Sequence, residues 1–230
     1  CSPHNPVGRI WTADELRTLV EICVAHNILI LADEVYCGLL FPGESFTPIA
    51  TVSPHAAQQV ITFMSASKSF NLTGLKHSFT ITPTPAHTAL CQMAARRVSL
   101  GYGVSQFGVV ASQVAFRDCD AWSTAVMAYI AANYHRVVEF CAAHLPDVRV
   151  TKPQATFMLW LDLRALPLPH ATLHTFFEEH ANILVVNGAA LGPDGTGFIR
   201  LNIGAPQSVI AQGLARIAAA CAAAGYRVHD

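Results

Sequence analysis

The sequence predicts an α/β fold, with a mostly parallel sheet flanked by helices, followed by a smaller α+β domain. A capped helical pattern leads into the continuous apolar run of residues 28–31, as expected of a strand buried in a parallel sheet. A second apolar run covers residues 60–64. Beyond a long helical pattern, short strand patterns surround one helix, which is typical of an α+β domain. We therefore expect a large domain over residues 1–120, a connecting helix over 121–147 and a small domain over 148–230.

The first helix is marked by a capping box, in which Thr12 is the N-cap and Glu15 lies three residues on. Apolar residues then recur on one helical face, and Asn27 is a suitable stop. The strand over residues 28–31 is expected to be buried on both faces and leads to Asp33. The remaining elements of the large domain are predicted as strands over residues 60–64 and 79–82 and helices over 86–99 and 109–116.

The second half begins with a long helix over residues 120–143, which has apolar residues on one side. Gly101, Gly103 and Gly108 predict a flexible segment ahead of the helix over residues 109–116. The small domain is predicted to have strands over residues 148–151, 157–162, 183–186 and 198–203, with helices over 173–181 and 209–224. Gly225 is a typical stop for the last helix.

The composition excludes several function classes. Hydrophobic residues make up 52% of the 230 residues and the net charge is −1, which argues for a large buried core and against nucleic acid as a partner. No apolar run reaches the roughly 18 residues that span a bilayer, so we expect no membrane partner. The seven cysteines form no C-x-x-C pair and the histidines show no metal-ligand spacing. We therefore expect reduced thiols in a cytoplasmic protein without a metal site.

The most informative stretch covers residues 65–75, directly after the apolar run of residues 60–64. Lys68 lies there at a predicted strand end, between residues that carry hydroxyl groups. Partial desolvation at such a place makes a lysine an amine nucleophile, which can form a Schiff base with an aldehyde cofactor. The alternative is an ordinary lysine of a surface loop.

Two further places carry polar residues suited to a ligand. Asp33 follows a predicted parallel strand at its carboxyl end, where α/β sheets bind ligands, and Tyr36 is near enough to face the same site. A buried carboxylate stays ionised only beside a cation, such as a protonated pyridine nitrogen. The alternative role of Asp33 is that of a helix cap or a turn residue. Asn5 precedes Pro6 in a stiff turn, and its amide either contacts a ligand or only forms the turn.

Arg200 lies between apolar residues in a predicted strand near the end of the chain. A guanidinium in a half-buried strand needs a carboxylate or a phosphate as its partner. Two roles are open: an internal ion pair with an acidic residue, or a bidentate site for a substrate carboxylate.

Four segments together resemble the class I/II aminotransferases, which are pyridoxal-phosphate enzymes of fold type I. The segments are Asn5-Pro6-x-Gly8, Asp33-x-x-Tyr36, Ser65-x-Ser67-Lys68 and Arg200 within F-I-R-L-N. They occur in the order of that family and cover nearly the whole chain. The resemblance implies a fold type I architecture, pyridoxal 5'-phosphate as cofactor, a small amino-acid substrate and a homodimer.

The resemblance also implies roles around the cofactor ring. Lys68 would hold the cofactor as a Schiff base and then remove the Cα proton of the substrate. Asp33 would pair with the pyridine nitrogen and keep it protonated, which makes the ring an electron sink. Asn5 and Tyr36 would hydrogen-bond the phenolic oxygen of the ring.

Three residues are implied at the charged ends of cofactor and substrate. Ser65 would contact the phosphate. Many aminotransferases carry a phosphate-binding arginine eight residues after the lysine, and Lys76 has that position here. Arg200 would hold the substrate α-carboxylate, with Asn5 beside it.

Flanking residues look like the cystathionine β-lyase, or C–S lyase, branch of the family. They are residues 1–6, 8–12, 67–72, 157–162 and 200–204. This branch implies a β-elimination on cystathionine or a related L-cysteine S-conjugate, which yields a thiol, pyruvate and ammonia. Tyr36 is instead the general aminotransferase form, since the lyase branch often has histidine there. Amino transfer to a 2-oxo acid is therefore the alternative.

The chain begins with Cys1, inside what reads as a functional loop, and we expect it to be the C-terminal part of a longer enzyme. In the family the upstream part supplies a phosphate-binding loop, an aromatic residue that stacks on the ring, and a tyrosine that reaches across the dimer. A third hypothesis follows from their absence, namely a catalytically incomplete fragment that acts as a folding or interaction module.

Overall fold

The computed structural model describes residues 1–100, 103–226 and 228. The chain forms two compact units. Unit 1 consists of Cys1–His4 and Arg9–Ala125, and unit 2 of Asn5–Gly8 and Val126–Asp230. The division after Ala125 falls inside the predicted connecting helix over residues 121–147, and the turn after His4 belongs to unit 2.

The helices and strands follow one another as in an α/β chain. The helices are α1 (Ala13–Ala25), α2 (Ala56–Gln59), α3 (Ala66–Ser69), α4 (Pro85–Arg97), α5 (Gln106–Asp118), α6 (Asp120–His144), α7 (Leu173–Ala181) and α8 (Gln207–Ala223). The strands are β1 (Ile30–Asp33), β2 (Val60–Met64), β3 (Phe79–Ile81), β4 (Arg149–Val150), β5 (Met158–Asp162), β6 (Val186–Asn187) and β7 (Phe198–Asn202).

Unit 1 contains a three-stranded sheet in the order β1-β2-β3. Strands β1 and β2 are parallel, and Asp33 is paired with Phe63. Strand β3 runs antiparallel to β2. The carboxyl ends of β1 and β2 therefore meet at one edge of the sheet, where ligand sites form in α/β proteins.

Helix α1 covers one face of this sheet. Its N-terminus has the predicted capping box: Glu15 N donates to Thr12 Oγ1 and Thr12 N donates to Glu15 Oε2, at 3.3 and 2.9 Å. The buried side of the helix packs with alternate residues of the strands. This core consists of Leu16, Val20, Cys23, Ile30, Ala32, Ile49, Ala56 and Val60.

The other face of β1 is exposed, so the prediction that this strand is buried on both faces was wrong. Leu31 points away from α1 and is 62% exposed, because no described residue covers it. The strand also begins later than predicted. Asn27 has a positive φ of 53°, and Ile28 N still bonds back to Cys23 O at 2.7 Å, so residues 28–29 complete the end of α1.

The predicted flexible glycine segment is also different in the structure. Gly101 lies outside the described residues. Gly108 is not in a flexible segment but in the first turn of α5, where its N–H donates to the N-cap Ser105 Oγ at 3.0 Å. The cap explains the difference, since a serine hydroxyl satisfies a backbone donor at the helix start.

Unit 2 contains a four-stranded antiparallel sheet in the order β4-β5-β7-β6. Leu159 and Ile199 lie on its buried face and are fully buried. The sixth strand is shorter and later than the predicted strand over residues 183–186, because Asn182 turns the chain with a positive φ of 52° after α7. Helix α7 has the predicted bounds.

In the part of the chain that the structure describes, no helix is long and apolar enough to cross a membrane. Those residues also contain no group of three or more side chains placed to hold a metal ion. All seven cysteines are free thiols.

Candidate active site

Asp33 and Lys68 both follow the carboxyl ends of neighbouring parallel strands. Asp33 is the last residue of β1, and Lys68 lies five residues beyond its strand partner Phe63. The Asp33 side chain is exposed, and its Oδ1 accepts a hydrogen bond from Val35 N at 3.2 Å. This bond fixes the direction of the carboxylate while its second oxygen can receive a ligand.

The turn that carries Lys68 is held by Ser65. Ser65 is the N-cap of α3, and its Oγ accepts from Ser67 N at 3.0 Å. Its hydroxyl also donates to His77 O at 2.6 Å. Ser65 is only 7% exposed, whereas Lys68 is half-buried in the last turn of the short helix. The structure thus uses the Ser65 hydroxyl inside the turn, and its predicted contact with a phosphate stays a prediction.

Tyr36 lies in the turn after β1 and is buried at 5% exposure. That turn is closed by Leu39 N, which donates to Tyr36 O at 2.9 Å. Lys76, in contrast, has an exposed side chain. Its backbone has a positive φ of 52° at the end of the 3₁₀ turn Thr73–Leu75.

We call Asp33, Tyr36, Ser65 and Lys68 the strand-end cluster.

Glu34, next to Asp33, has the opposite surroundings and was missed in the sequence. It is buried, and its Oε1 accepts from Ile49 N at 3.0 Å. Burial raises the pKa of this carboxyl. The sequence does contain a signal for this difference. Successive side chains of a strand point to opposite faces of the sheet, so two adjacent acidic residues at a strand end have different surroundings.

In unit 2 the structure joins two of the predicted residues directly. Arg200 Nη1 donates to Asn5 Oδ1 at 3.1 Å, although the two lie 195 positions apart. Within the described residues no carboxylate lies within ion-pair distance of Arg200, so the internal ion pair is not formed. On the sheet Arg200 is flanked by Trp160 of β5 and Val186 of β6. We call Asn5 and Arg200 the clamp.

The turn that carries Asn5 is anchored through Gly8. Gly8 O accepts from Gln154 N and Ala155 N at 2.8 and 2.9 Å. Gly8 has a φ of +74°, and a Cβ there would lie 2.7 Å from Ala155 O and from Pro153 Cβ. Only glycine satisfies both the conformation and the space, which gives the glycine of the Asn-Pro-x-Gly motif a structural reason.

A second residue that sequence reasoning missed is Asn133, which braces the strand of Arg200. It is fully buried in α6, and its Nδ2 donates to Ile203 O and Ala205 O, both at 2.9 Å. These carbonyls directly follow β7. The available signal was an asparagine on the apolar side of a predicted helix, between Ile130 and Val137.

Comparison with known proteins identifies the family. The family model "Aminotransferase class I and II" matches residues 1–217, and the chain belongs to this family. It is 34% identical over 220 residues to cystathionine beta-lyase PatB of Bacillus subtilis. That alignment covers 96% of this chain and 57% of PatB. The fold is accordingly the fold type I architecture that the sequence predicts.

Two further proteins are similar to the chain, one of them a solved structure and the other named as an aminotransferase. The structure of cystalysin from Treponema denticola, which contains a pyridoxal 5'-phosphate cofactor, has a TM-score of 0.91 at 31% identity and covers 96% of this chain and 56% of cystalysin. The aspartate aminotransferase of Geobacillus stearothermophilus is 30% identical over 209 residues, which cover 90% of this chain and 50% of that enzyme. The chain spans between 50% and 57% of the length of these three relatives.

Proposed function

We propose that the chain forms the part of a pyridoxal-phosphate-dependent C–S lyase that holds the reactive lysine and the substrate carboxylate. The reaction is β-elimination on cystathionine or a related L-cysteine S-conjugate, in which the conjugate and water give a thiol, pyruvate and ammonia. The observation that carries the proposal is the clamp. It presents a half-buried guanidinium whose described partner is an amide oxygen and not an acid.

The donor set of the strand-end cluster fits the cofactor. Lys68 supplies the only amine of the cluster, suited to an aldehyde, and Asp33 supplies an exposed carboxylate that stabilises a protonated pyridine nitrogen. Tyr36 supplies a phenol for the ring oxygen. Lys76 remains the proposed phosphate ligand, because the one proton of the Ser65 hydroxyl is already donated to His77 O. When bound, the cofactor supplies an electron sink that stabilises negative charge at the substrate Cα.

Residues of the chain itself bind the substrate carboxylate and remove the Cα proton. Arg200 binds both oxygens of the substrate α-carboxylate, and Asn5 orients the guanidinium through the hydrogen bond at 3.1 Å. Lys68 would hold the aldehyde group of the cofactor, and its free amine Nζ would serve as the base that removes the Cα proton of the substrate. The thiolate leaves from Cβ, and the remaining enamine hydrolyses to pyruvate and ammonia. The carboxylate contact holds the substrate at one end and so restricts the directions in which its Cα–H bond can point.

Labelling of the lysines tests the cofactor assignment. The sequence has three lysines, Lys68, Lys76 and Lys152, and the latter two are exposed. The protein is incubated with pyridoxal phosphate, reduced with borohydride and digested for mass spectrometry. We expect the label on Lys68 in preference to both exposed lysines, and its loss in Lys68→Ala. Accessibility alone predicts the reverse order, which would reject the assignment.

Two assays separate the lyase from the aminotransferase. We expect pyruvate from cystathionine, with little amino transfer to 2-oxoglutarate. Amino transfer without pyruvate would establish the alternative function, which Tyr36 and the likeness to the Geobacillus aspartate aminotransferase favour. If Lys68 takes up no label and neither product forms, the fragment hypothesis of a folding or interaction module holds instead. A homodimer and a cytoplasmic location belong to the same proposal.

A further inference from the structure

A chain of hydrogen bonds runs from α5 to the turn that carries Lys68. His77 Nδ1 and Ser112 Oγ share a hydrogen bond of 2.8 Å, and Ser112 is only 6% exposed. The backbone carbonyl of His77 accepts from the Ser65 hydroxyl at 2.6 Å. Ser65 in turn caps α3, the short helix in which Lys68 lies three residues after the cap. Each link is buried or half-buried, so solvent does not readily replace it.

The same helix approaches the segment around His77 with unusual closeness. Gly108, one turn before Ser112 on the buried side of α5, has no side chain to keep the two apart. A Cβ at Gly108 would lie 2.7 Å from His77 Cβ and 3.1 Å from Leu75 O. Both distances are below ordinary van der Waals contact, so an alanine there must displace His77 or α5.

A second contact joins α5 to the other end of α3. Phe70, the C-cap of α3, meets Phe116 of α5 edge to face with ring centroids 5.5 Å apart. Helix α5 therefore supports the Lys68 turn from both of its ends, through His77 and Ser65 at the start and through Phe70 after the last turn. A helix of four residues has little stability of its own, so these contacts set its position.

We propose that His77 is a positioning residue for Lys68, held in place by Ser112 and by the close approach at Gly108. This inference rests on the proposed function, because it gives His77 a task only if Lys68 is the reactive amine. His77 acts through its backbone carbonyl, which its own ring orients by bonding to Ser112. Release of the ring lets that carbonyl move, loosens the Ser65 cap and shifts Lys68 from its reactive position.

The test measures the rate of labelling of Lys68 by pyridoxal phosphate and borohydride, relative to Lys152 in the same sample. We expect His77→Leu and Ser112→Ala to reduce this ratio by about tenfold, since small misplacements of a reactive group cost one to two orders of magnitude in rate. His77→Asn should restore most of it, because the asparagine side chain places a polar atom where Nδ1 was. Gly108→Ala keeps every hydrogen-bonding group and should still reduce the ratio.

The matched control is His87, which also lies in unit 1 and shares a hydrogen bond of 2.8 Å between its Nδ1 and Thr84 Oγ1. His87→Leu should leave the ratio unchanged. If His77→Leu and His87→Leu reduced the ratio to the same extent, the loss would reflect a general loss of stability, seen as a lower melting temperature in both variants, and this would overturn the inference. Equal labelling of Lys68 in the wild type and in the variants would also overturn it. If the wild-type protein shows no preference for Lys68, that result contradicts the proposed function and not the positioning role of His77 alone.

Discussion

The sheets of the two units differ in how their apolar residues are used. In unit 2, burial alternates from residue to residue along β5 and β7. Leu159 and Ile199 are buried on one face of the sheet, and Trp160 and Arg200 lie on the other. In unit 1, β1 carries apolar residues on both faces, and Leu31 on the second face stays 62% exposed. An antiparallel sheet is stable with one covered face, whereas a parallel pair is normally covered on both. Unit 2 thus covers one face of its sheet with its own residues, whereas unit 1 leaves the second face of β1 open at Leu31, although Ile61 beside it on β2 is buried.

The largest expected effect is a loss of stability, and it tests the difference between the two sheets with the same Leu→Ala substitution in each unit. Leu159→Ala in unit 2 should lower the free energy of unfolding by about 3 kcal/mol, because it removes a fully buried side chain and leaves a cavity. Leu31→Ala in unit 1 should cost less than about 1 kcal/mol, since that side chain is already exposed. Urea unfolding followed by circular dichroism measures both. Similar losses in the two variants would show that the exposed face is covered in solution.

A smaller effect concerns the buried polar residue of unit 2. Asn133→Ala removes two hydrogen bonds and leaves the carbonyls of Ile203 and Ala205 without their donor, which should cost about 2 kcal/mol. The control is Asn202→Ala at the end of β7, the strand that precedes these two carbonyls. Its Oδ1 accepts from Gly204 N at 2.8 Å but the residue is exposed, so water can replace it at a loss below about 1 kcal/mol. The same urea experiment compares them, and equal losses would contradict the role of burial.

The smallest effect is a pH dependence of stability that arises from Glu34 in unit 1. Burial raises the pKa of Glu34 above the ordinary glutamate value of 4.5, so the folded state binds this proton more tightly than the unfolded state. Its contribution to stability is therefore fully present at low pH and is lost as pH rises through the raised pKa. Glu34→Gln, which keeps an acceptor for Ile49 N, should flatten this slope. Unfolding free energies measured between pH 4 and pH 8, as roughly the accessible window, decide it, and parallel curves for the two proteins would contradict the assignment.

The sequence by itself determined the elements whose causes are local. The capping box at Thr12 and Glu15, the strand Val60–Met64 and the helix Leu173–Ala181 were predicted with their observed bounds or caps. Each depends on side chains within a few positions of one another. The residues of the strand-end cluster were found in the same way, because they follow directly on recognisable strands.

Only the tertiary structure decided what joins residues far apart in the chain. The bond between Arg200 and Asn5, the brace from Asn133 and the bond between His77 and Ser112 link positions 195, 70 or more, and 35 residues apart. The exposure of Leu31 belongs with them, because its apolar run is the same whether or not a layer covers it. Burial and pairing of this kind depend on which segments meet in space, and local sequence carries no record of that.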